Sequence, residues 1–530
     1  MCRVETRPQV GEHAGMESVP LKAAEGGLVE ERKAFLPQSY SLWKDSIEGR
    51  LWSLLTLFGL FISSPFLFAF VALSVLSAVV RKLLRLPAAR KLPEGSNKGR
   101  GRTALVTGGK MTKSLDVCRH LKNEGFRVIL TETPRYWMSA SRFSSAVDKF
   151  VVLPVAPETH PEGYVEALRN LFEKENVSLF APVCSPFSSL YDAKAAESLP
   201  EGAISWSLPA EMVQQLDDKV EFARMAKEVG LPVPDTLRVE SKEEVRRFNS
   251  ELAEKWRRDS SSAIASGAEK KKTDCRRYIL KTLDYDPMRR LDLFTLPCGP
   301  KELEKYLDET TISPDRPWLV QEFLEGREYS SCALSWKGKL LAFTDNEAVI
   351  SCYNFKYAGR DKIQEWVRVF CEKYQLSGVI CVDFFERADG TQLAIECNPR
   401  FSSNMTAFYN NPRLGAAMAD PDLALRSGVT ETPLPSSKES NWTLVDLYFH
   451  SYTQMMKNPL AAFTAAAGLL LVSEETKEKQ DAYWAPEDPL PSLALHCFHM
   501  PALLVRNVWD GRKWAKIDFC IGKMTEENGD

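Results

Sequence analysis

Residues 379–400 constrain the fold more than any other part of this 530-residue chain. Their sequence, VICVDFFERADGTQLAIECNPR, reads as two apolar strands around an Asp-Gly turn, which is a strong β-hairpin signal. Side chains at positions i and i+2 leave a strand on the same face, so Glu396 and Asn398 point together. Asp383 can join them from the first strand, with Arg400 one step beyond. The hairpin therefore predicts a cluster of oxygen ligands beside a guanidinium.

This cluster has the composition of a magnesium nucleotide site. Two carboxylates and an amide oxygen suit Mg²⁺ that carries a nucleotide triphosphate, and a guanidinium suits the phosphates. The alternative is a surface hairpin with solvated charges. Polar groups within an apolar strand favour the site, because burying them without partners is costly.

Composition excludes several classes of function. The formal net charge of −3 argues against a general nucleic-acid-binding surface, so we predict no nucleic-acid partner. The 12 cysteines form no CxxC pair, and several lie within apolar runs. This usage favours a reducing compartment and makes a zinc site a poor interpretation.

An uncharged, apolar run occupies residues 51–80. A bilayer span needs about 20 such residues, so the run predicts a membrane anchor, as one tilted helix or as a re-entrant hairpin near Pro65. Lysine and arginine are frequent in residues 81–102 and sparse ahead of the run, which predicts that the catalytic part lies on the cytoplasmic side. A signal peptide is the weaker alternative, because the run is long and lies far from Met1.

Short strands alternate with amphipathic helices from Thr103 onward. TALVTGG and RVILTET read as strands, and SLDVCRHLKNEG between them has helical spacing. This βαβα order predicts an α/β domain with a parallel sheet, whose strand ends usually bind ligands. The segment from Thr107 to Lys110 ends the first strand but lacks dinucleotide and P-loop spacing. Hairpins and single helices follow, as in an α+β domain, with a predicted solvated loop at residues 257–277.

The predicted organisation therefore has six consecutive parts. They are a disordered leader at 1–50, a hydrophobic membrane segment at 51–80, a basic linker at 81–102, a Rossmann-like domain at 103–208, an α+β domain at 209–420 and a C-terminal extension at 421–530.

A series of seven charged residues and one asparagine, in order along the chain, resembles that of the ATP-grasp superfamily. The series is Lys219, Lys281, Glu322, Glu328, Asp383, Glu396, Asn398 and Arg400. Members of that superfamily clamp ATP between two α+β lobes, commonly behind a parallel-sheet domain, so the resemblance implies this fold for residues 103–420. A non-catalytic nucleotide sensor is an alternative, but a sensor has no need of the complete set of metal ligands.

The resemblance implies roles for individual residues. Those implied to bind ATP are Lys219, Lys281, Gln321, Glu322, Phe323 through its backbone, and Glu328. Those implied to bind Mg²⁺ are Asp383, Glu396 and Asn398. Those implied to act on the transferred phosphoryl group are Arg400, Lys281 and Arg289. Arg289 belongs to a loop that departs from the superfamily, because it contains no glycine where a Gly-rich loop commonly covers the phosphates.

Further motifs are similar to those of the mycosporine-glycine synthases within this superfamily, among them TGGKMTKS, ETPRYW, LDDK, IECNPR and WAKIDFCIGK. The resemblance implies a C–N ligase that uses ATP and Mg²⁺ to join glycine to 4-deoxygadusol through a phosphorylated enol. The implied substrate contacts are Gly109, Lys110, Ser185 and Ser402. The alternative is a carboxylate–amine ligase that makes an acylphosphate of another amino acid or peptide.

Overall fold

The computed structural model describes residues 46–83, 96–185, 187–265, 276–283, 294–348, 354–442, 479–511 and 514–526. Residues 1–45 of the predicted leader, residues 84–95 of the predicted linker and Arg289 lie outside these ranges. Residues 46–50, which we assigned to the leader, belong to a helix.

The elements of the N-terminal half are α1 (Ser46–Leu83), β1 (Thr103–Val106), α2 (Thr112–Asn123), β2 (Arg127–Glu132), β3 (Lys149–Val152), α3 (Pro161–Lys174), β4 (Val177–Ala181), α4 (Ser189–Ala196), β5 (Ile204–Ser205), α5 (Ala210–Asp217), α6 (Lys219–Glu228), β6 (Thr236–Val239) and α7 (Lys242–Ala265).

The elements that follow are β7 (Tyr278–Thr282), β8 (Phe294–Leu296), α8 (Pro300–Asp308), β9 (Trp318–Glu322), β10 (Arg327–Trp336), β11 (Lys339–Glu347), β12 (Asn354–Phe355), α9 (Asp361–Lys373), β13 (Gly378–Glu386), β14 (Gln392–Asn398), α10 (Pro412–Ala419), α11 (Pro421–Ser427), β15 (Glu439–Asn441), β16 (Lys479–Asp481), α12 (Leu490–Ala494), α13 (Met500–Asp510), β17 (Trp514–Asp518) and β18 (Lys523–Glu526).

The predicted parallel sheet is confirmed. Its strand order is β3-β2-β1-β4-β5, and every pairing between neighbours is parallel. Leu105, Val106 and Ile129 are fully buried, as expected for strands that are covered on both faces. The carboxyl ends of β1, β2 and β4 therefore lie together at one edge of the sheet.

Two antiparallel sheets form the next part of the chain. Their strand orders are β6-β9-β7-β8 and β11-β10-β13-β14. Amphipathic α9 buries Ile363, Trp366 and Phe370 in a core shared with the second sheet. The predicted hairpin of residues 379–400 forms as β13 and β14, and it occupies one edge of that sheet.

Part of the predicted loop at residues 257–277 is helical. Helix α7 continues to Ala265, beyond the predicted end of that helix near Trp256, and residues 266–275 lie outside the described ranges. A helix that has already formed gains one hydrogen bond for each residue added to it, which favours its continuation. Polar composition alone did not distinguish this stretch of helix from a loop.

The parallel sheet and the second antiparallel sheet share one hydrophobic core. This core contains Ala104 and Leu179 of the former together with Cys332 and Val379 of the latter. Trp206 lies between them and donates a hydrogen bond to the Met418 carbonyl. Packing therefore continues across the domain boundary that we predicted at residue 208, and it holds the two sheets together.

The C-terminal extension packs on the start of α2. The Trp442 indole donates to Thr112 Oγ1 at 2.9 Å, and the Thr112 amide donates to the Cys520 carbonyl at 3.1 Å. Arg119, further along α2, makes two hydrogen bonds to one carboxylate oxygen of Asp488. These contacts place the β17–β18 hairpin against the loop that follows β1.

Helix α1 packs on the same extension through one side. Ser53 donates to Asn507 on α13 and accepts from the Trp514 indole. Large apolar side chains on α1, including Phe58 and Phe61, are exposed. Within the described part of the chain, no helix has the length and hydropathy needed to cross a bilayer, so the predicted span at residues 51–80 is not supported.

Candidate active site

The predicted oxygen cluster forms at the β13–β14 edge. Asp383 and Glu396 are direct cross-strand partners, and the Asn398 amide donates to Asp383 Oδ2 at 3.3 Å. Ser330 of β10 is the partner of Asp383 on its other side, and its hydroxyl is hydrogen-bonded to the same carboxylate. The cluster thus has an additional member, Ser330, whose position depends on the pairing of β10 with β13.

The two carboxylates repel each other. Burial, and then the charge of Glu396, raise the pKa of Asp383 well above its usual value. The charge of Lys219 lowers the pKa of Glu396 against the opposing effect of burial. A divalent cation between the two carboxylates would relieve this repulsion, so the donor set fits Mg²⁺.

The rest of a magnesium coordination sphere must come from other oxygens. Among the described residues, no group of three or more histidine, cysteine, aspartate and glutamate side chains is placed to hold a metal ion. Asn398 Oδ1 accepts from Arg400, so it is already engaged in this structure. Mg²⁺ commonly binds through one or two carboxylates plus substrate phosphates and water, which agrees with this arrangement.

Lys219 and Lys281 reach the cluster from separate elements. Lys219 begins α6, where Asp218 caps the helix by accepting from two backbone amides. The Nζ of Lys219 lies 3.0 Å from Glu396 Oε2. Lys281 lies on β7, where burial lowers its pKa while the charge of Glu396 opposes that shift. Two cations next to the carboxylates can neutralise the oxygens of a triphosphate.

Glu328 belongs to the neighbourhood of the same cluster. It lies two residues before Ser330 on β10, so both side chains leave one face of the strand. Its negative charge adds to the rise in the Asp383 pKa and partly offsets the lowering of the Lys281 pKa by burial. The resemblance implies that this residue binds ATP, and the structure places it beside the acids.

The residues predicted to meet adenine lie at the end of β9. The Gln321 amide donates to the Ile395 carbonyl at 3.2 Å, and Arg387 pairs with the Glu322 carboxylate. The Phe323 amide donates to the Arg277 carbonyl at 2.7 Å, as part of the contact with the segment before β7. This amide is therefore used inside the protein, and the implied contact of the Phe323 backbone with ATP stays a prediction.

Arg400 is held in place by Asp217. The Arg400 guanidinium is 8% exposed and donates to Asp217 Oδ1 at 2.6 Å, while Ser189 donates to the other oxygen of Asp217. Sequence reasoning did not assign a role to Asp217. Its position two residues before Lys219, in the LDDK motif, was the available signal.

Two of the four predicted substrate residues line a common cavity. Lys110 and Ser185 line a cavity of about 20 Å³ at the carboxyl ends of the parallel strands, together with Gly108. Gly109 and Ser402 do not line it, and the Gly109 amide donates to the Thr131 carbonyl. The cavity has the size of about one water molecule.

Gly108 is required by the backbone at this edge. Its φ is +71°, and a Cβ atom there would lie 1.5 Å from the Val183 carbonyl oxygen. The TGGK segment therefore approaches β4 in a way that only glycine permits.

A buried carboxyl group supports the same edge. Asp192 on α4 accepts from Tyr164 at 2.7 Å and from Thr107 at 2.9 Å, and burial raises its pKa to about 7. Sequence reasoning missed this residue, because no motif marks it and its partners come from β1 and α3.

Residues 298–404 match the family model described as "ATP-grasp domain". The chain carries an ATP-grasp domain. The match includes the acidic cluster and Arg400, whereas Lys219 and Lys281 lie outside it and are brought in by the fold. This ATP-grasp domain confirms the prediction of an ATP-binding, ATP-dependent ligase, with an α/β parallel-sheet domain ahead of it. No curated protein matches the chain.

Several solved structures are similar to the chain. N5-carboxyaminoimidazole synthetase from Staphylococcus aureus with ADP has 15% identity over 60% of this chain and 78% of its own, at a TM-score of 0.43. L-amino acid ligase from Bacillus licheniformis has 15% identity over 60% of this chain and 74% of its own, at a TM-score of 0.40. The biotin carboxylase domain of a Hydrogenobacter thermophilus 2-oxoglutarate carboxylase has 13% identity over 62% and 70%, at 0.44. These likenesses carry no argument about the substrates of this chain.

Proposed function

We propose that this protein uses ATP to phosphorylate an acidic oxygen of an acceptor and then couples the activated acceptor to an amine. The observation that supports this proposal best is the Asp383–Glu396 pair beside a buried Arg400. Phosphoryl transfer needs little covalent chemistry from a protein, and it depends on positioning and on neutralising phosphate oxygens. The cations around this pair, Lys219, Lys281 and Arg400, can neutralise phosphate oxygens and hold them in position.

Each charged residue then has a distinct task. Bound Mg²⁺, held by Asp383 and Glu396, would neutralise and orient the phosphate oxygens. Lys219 and Lys281 offset the remaining charge of the triphosphate. Arg400, oriented by Asp217, would hold the phosphoryl group during transfer.

For substrates, we propose glycine as the amine and 4-deoxygadusol as the acceptor. The support is the motif resemblance, from TGGKMTKS to WAKIDFCIGK. 4-Deoxygadusol is an enolised 1,3-diketone and thus a vinylogous acid, so its enol oxygen can be phosphorylated as a carboxylate can. The glycine amine then adds to the ring carbon, phosphate leaves, and the product is mycosporine-glycine.

ADP release with defined substrates tests this proposal. We expect ADP, phosphate and the glycine adduct when ATP, Mg²⁺, 4-deoxygadusol and glycine are all present. We expect background release when either organic substrate is omitted. Activity with a carboxylate and an amino acid, but none with 4-deoxygadusol, would instead establish the acylphosphate alternative. If the wild-type protein releases no ADP with 4-deoxygadusol and none with any carboxylate, both the proposed function and the acylphosphate alternative are contradicted.

We also propose that α1 attaches the protein to an anionic membrane surface, with the catalytic part on the cytoplasmic side. Phe58 and Phe61 are 62% and 75% exposed, and the basic residues 81–102 that follow α1 suit anionic lipid heads. Flotation with vesicles of phosphatidylserine and phosphatidylcholine tests this. We expect Phe58→Glu with Phe61→Glu to abolish flotation, and Val429→Glu, at another exposed apolar site far along the chain, to leave it unchanged. Equal flotation of all three proteins contradicts attachment through α1.

A further inference from the structure

A buried lysine lies beside the phosphoryl-transfer site. Lys113 is in the first turn of α2, directly after the TGGK segment, and is 7% exposed. Its Nζ donates to the carbonyl of Phe401, the residue that follows Arg400. The helix of the parallel-sheet domain thus sends an ammonium group to the end of the ATP-grasp hairpin.

The strongest charged neighbour of Lys113 is a cation. Burial, and then the charge of Arg400, lower the Lys113 pKa, and no carboxylate is among the groups that affect it most. The carboxylate nearest to Arg400, Asp217, is already engaged by Arg400 and Ser189.

Arg400 is balanced by Asp217, whereas Lys113 is a buried ammonium hydrogen-bonded to a neutral carbonyl, and such a charge is costly until an anion approaches it. Lys113 comes from the edge where the parallel strands end, which we call the acceptor edge, and Arg400 comes from the side of the acidic cluster. An anion held by both would therefore lie between the acceptor edge and the triphosphate. This is the position that an attacking oxygen must occupy in the proposed reaction.

We infer that Lys113 and Arg400 together bind the anionic oxygen of the acceptor, a carboxylate or an enolate, that attacks the γ-phosphoryl group of ATP. This inference rests on the proposed function and adds to it a residue that binds the acceptor. In the step itself, the acceptor oxygen forms a bond to the γ-phosphorus. The bond from that phosphorus to the oxygen bridging to the β-phosphate breaks, and ADP leaves with the electron pair. The acceptor enters as an anion, so no proton must be removed.

The inference predicts how a neutral residue at position 113 changes the kinetics. Lys113→Met keeps the length of the side chain and removes its charge. We expect the KM for the acceptor to rise about 10- to 100-fold, as for loss of a charged hydrogen bond, with the KM for ATP within about twofold of wild type. Lys113→Arg restores a cation and should recover most of the affinity for the acceptor.

Lys122→Met is the matched control. Lys122 lies on the same helix, but it is exposed and pairs with Asp148. We expect its kinetics to equal those of wild type. Equal losses in Lys113→Met and Lys113→Arg, accompanied by a lower Tm, would mean that Lys113 is only structural and would overturn the inference.

A binding measurement separates this inference from the proposed function. Inorganic phosphate, titrated calorimetrically into the ADP–Mg²⁺ complex of the protein, occupies an anion site whatever the acceptor is. We expect Lys113→Met to weaken phosphate binding about 10-fold or more and Lys122→Met to leave it unchanged. If the wild-type protein turns over no acceptor, yet binds phosphate about 10-fold more tightly than Lys113→Met does, the proposed function fails and the anion site stands. Phosphate binding that is unchanged in Lys113→Met overturns the anion site.

Discussion

Glu396 is the residue on which the charges of the site converge. Its carboxylate lies 3.0 Å from Lys219, and it acts electrostatically on Asp383 and Lys281. These neighbours come from a helix, from the adjacent strand and from a strand of the other antiparallel sheet. A change at this one carboxylate should therefore disturb both metal binding and the balance of charge around the triphosphate.

Replacing Glu396 tests whether the site is catalytic. Glu396→Gln removes one of two anionic oxygen ligands, and we expect ATP turnover to fall at least about 100-fold. The measurement is ADP release at saturating ATP and Mg²⁺. Glu372→Gln, on the exposed side of α9, is the control and should retain wild-type turnover. Unchanged turnover in Glu396→Gln would favour a nucleotide sensor.

Asp192 predicts a pH dependence of stability in the parallel-sheet domain. Its folded pKa of about 7 lies above its usual value of 3.8, so the native state retains a proton that the unfolded state loses. The free energy of unfolding therefore falls as pH rises from about 4 to about 7, by up to roughly 4 kcal/mol. We expect Asp192→Asn to remove this fall, so that the variant gains stability relative to wild type across that window.

Urea unfolding at several pH values measures this effect as a difference between the two proteins. Buried His496 and His499, whose pKa values are lowered to about 4 by burial, titrate in an overlapping window with the opposite sign. They are present in both proteins, so their contribution cancels. Asp389→Asn, at an exposed turn, is the control and should leave the pH dependence between 4 and 7 unchanged. A constant difference between Asp192→Asn and wild type contradicts the raised pKa.

Single elements were predictable from the sequence where the signal was local. The hairpin of β13 and β14 follows from alternating apolar residues and an Asp-Gly turn, and its register brings Asp383 opposite Glu396 as expected. The pairing of Arg400 with Asp217 joins positions 183 residues apart, so no local pattern could reveal it. The partner of the Phe323 amide was equally hidden from the sequence, because it depends on how β7 pairs with β9.

The C-terminal hairpin illustrates an element whose role only the fold reveals. Its turn contains Gly522, with φ at +62°, and a Cβ atom there would lie 1.9 Å from the Lys110 carbonyl oxygen. The same hairpin receives the Thr112 amide at Cys520. The extension thus holds the TGGK segment, although no sequence pattern connects the two.

Gly522→Ala tests this contact between elements. We expect it to cost about 1–2 kcal/mol for the left-handed backbone and about 1–3 kcal/mol more for the clash with Lys110. Gly428→Ala is the matched control, because Gly428 has φ at +67° and open space where its Cβ would lie. Thermal unfolding should show a larger fall in Tm for Gly522→Ala. Equal falls in the two variants would mean that the hairpin does not press on the TGGK segment.

At the scale of the whole molecule, the site is assembled from parts that are far apart in sequence. The acids belong to the second antiparallel sheet, Lys281 to the first, and Lys219 and Asp217 to successive helices. The parallel sheet shares its core with the strands that carry the acids, so the acceptor edge and the nucleotide site keep a fixed relation. In the proposed reaction, an acceptor bound at the edge of the parallel sheet would thereby meet the phosphates bound at the acidic cluster.

Anomalous diffraction from crystals grown with Mn²⁺ and a non-hydrolysable ATP analogue tests the central claim most directly. Manganese takes the place of Mg²⁺ and marks its own position. We predict a single strong peak between the carboxylates of Asp383 and Glu396, with the triphosphate extending toward Lys219 and Lys281. A nucleotide bound with its metal away from these two carboxylates would contradict the account.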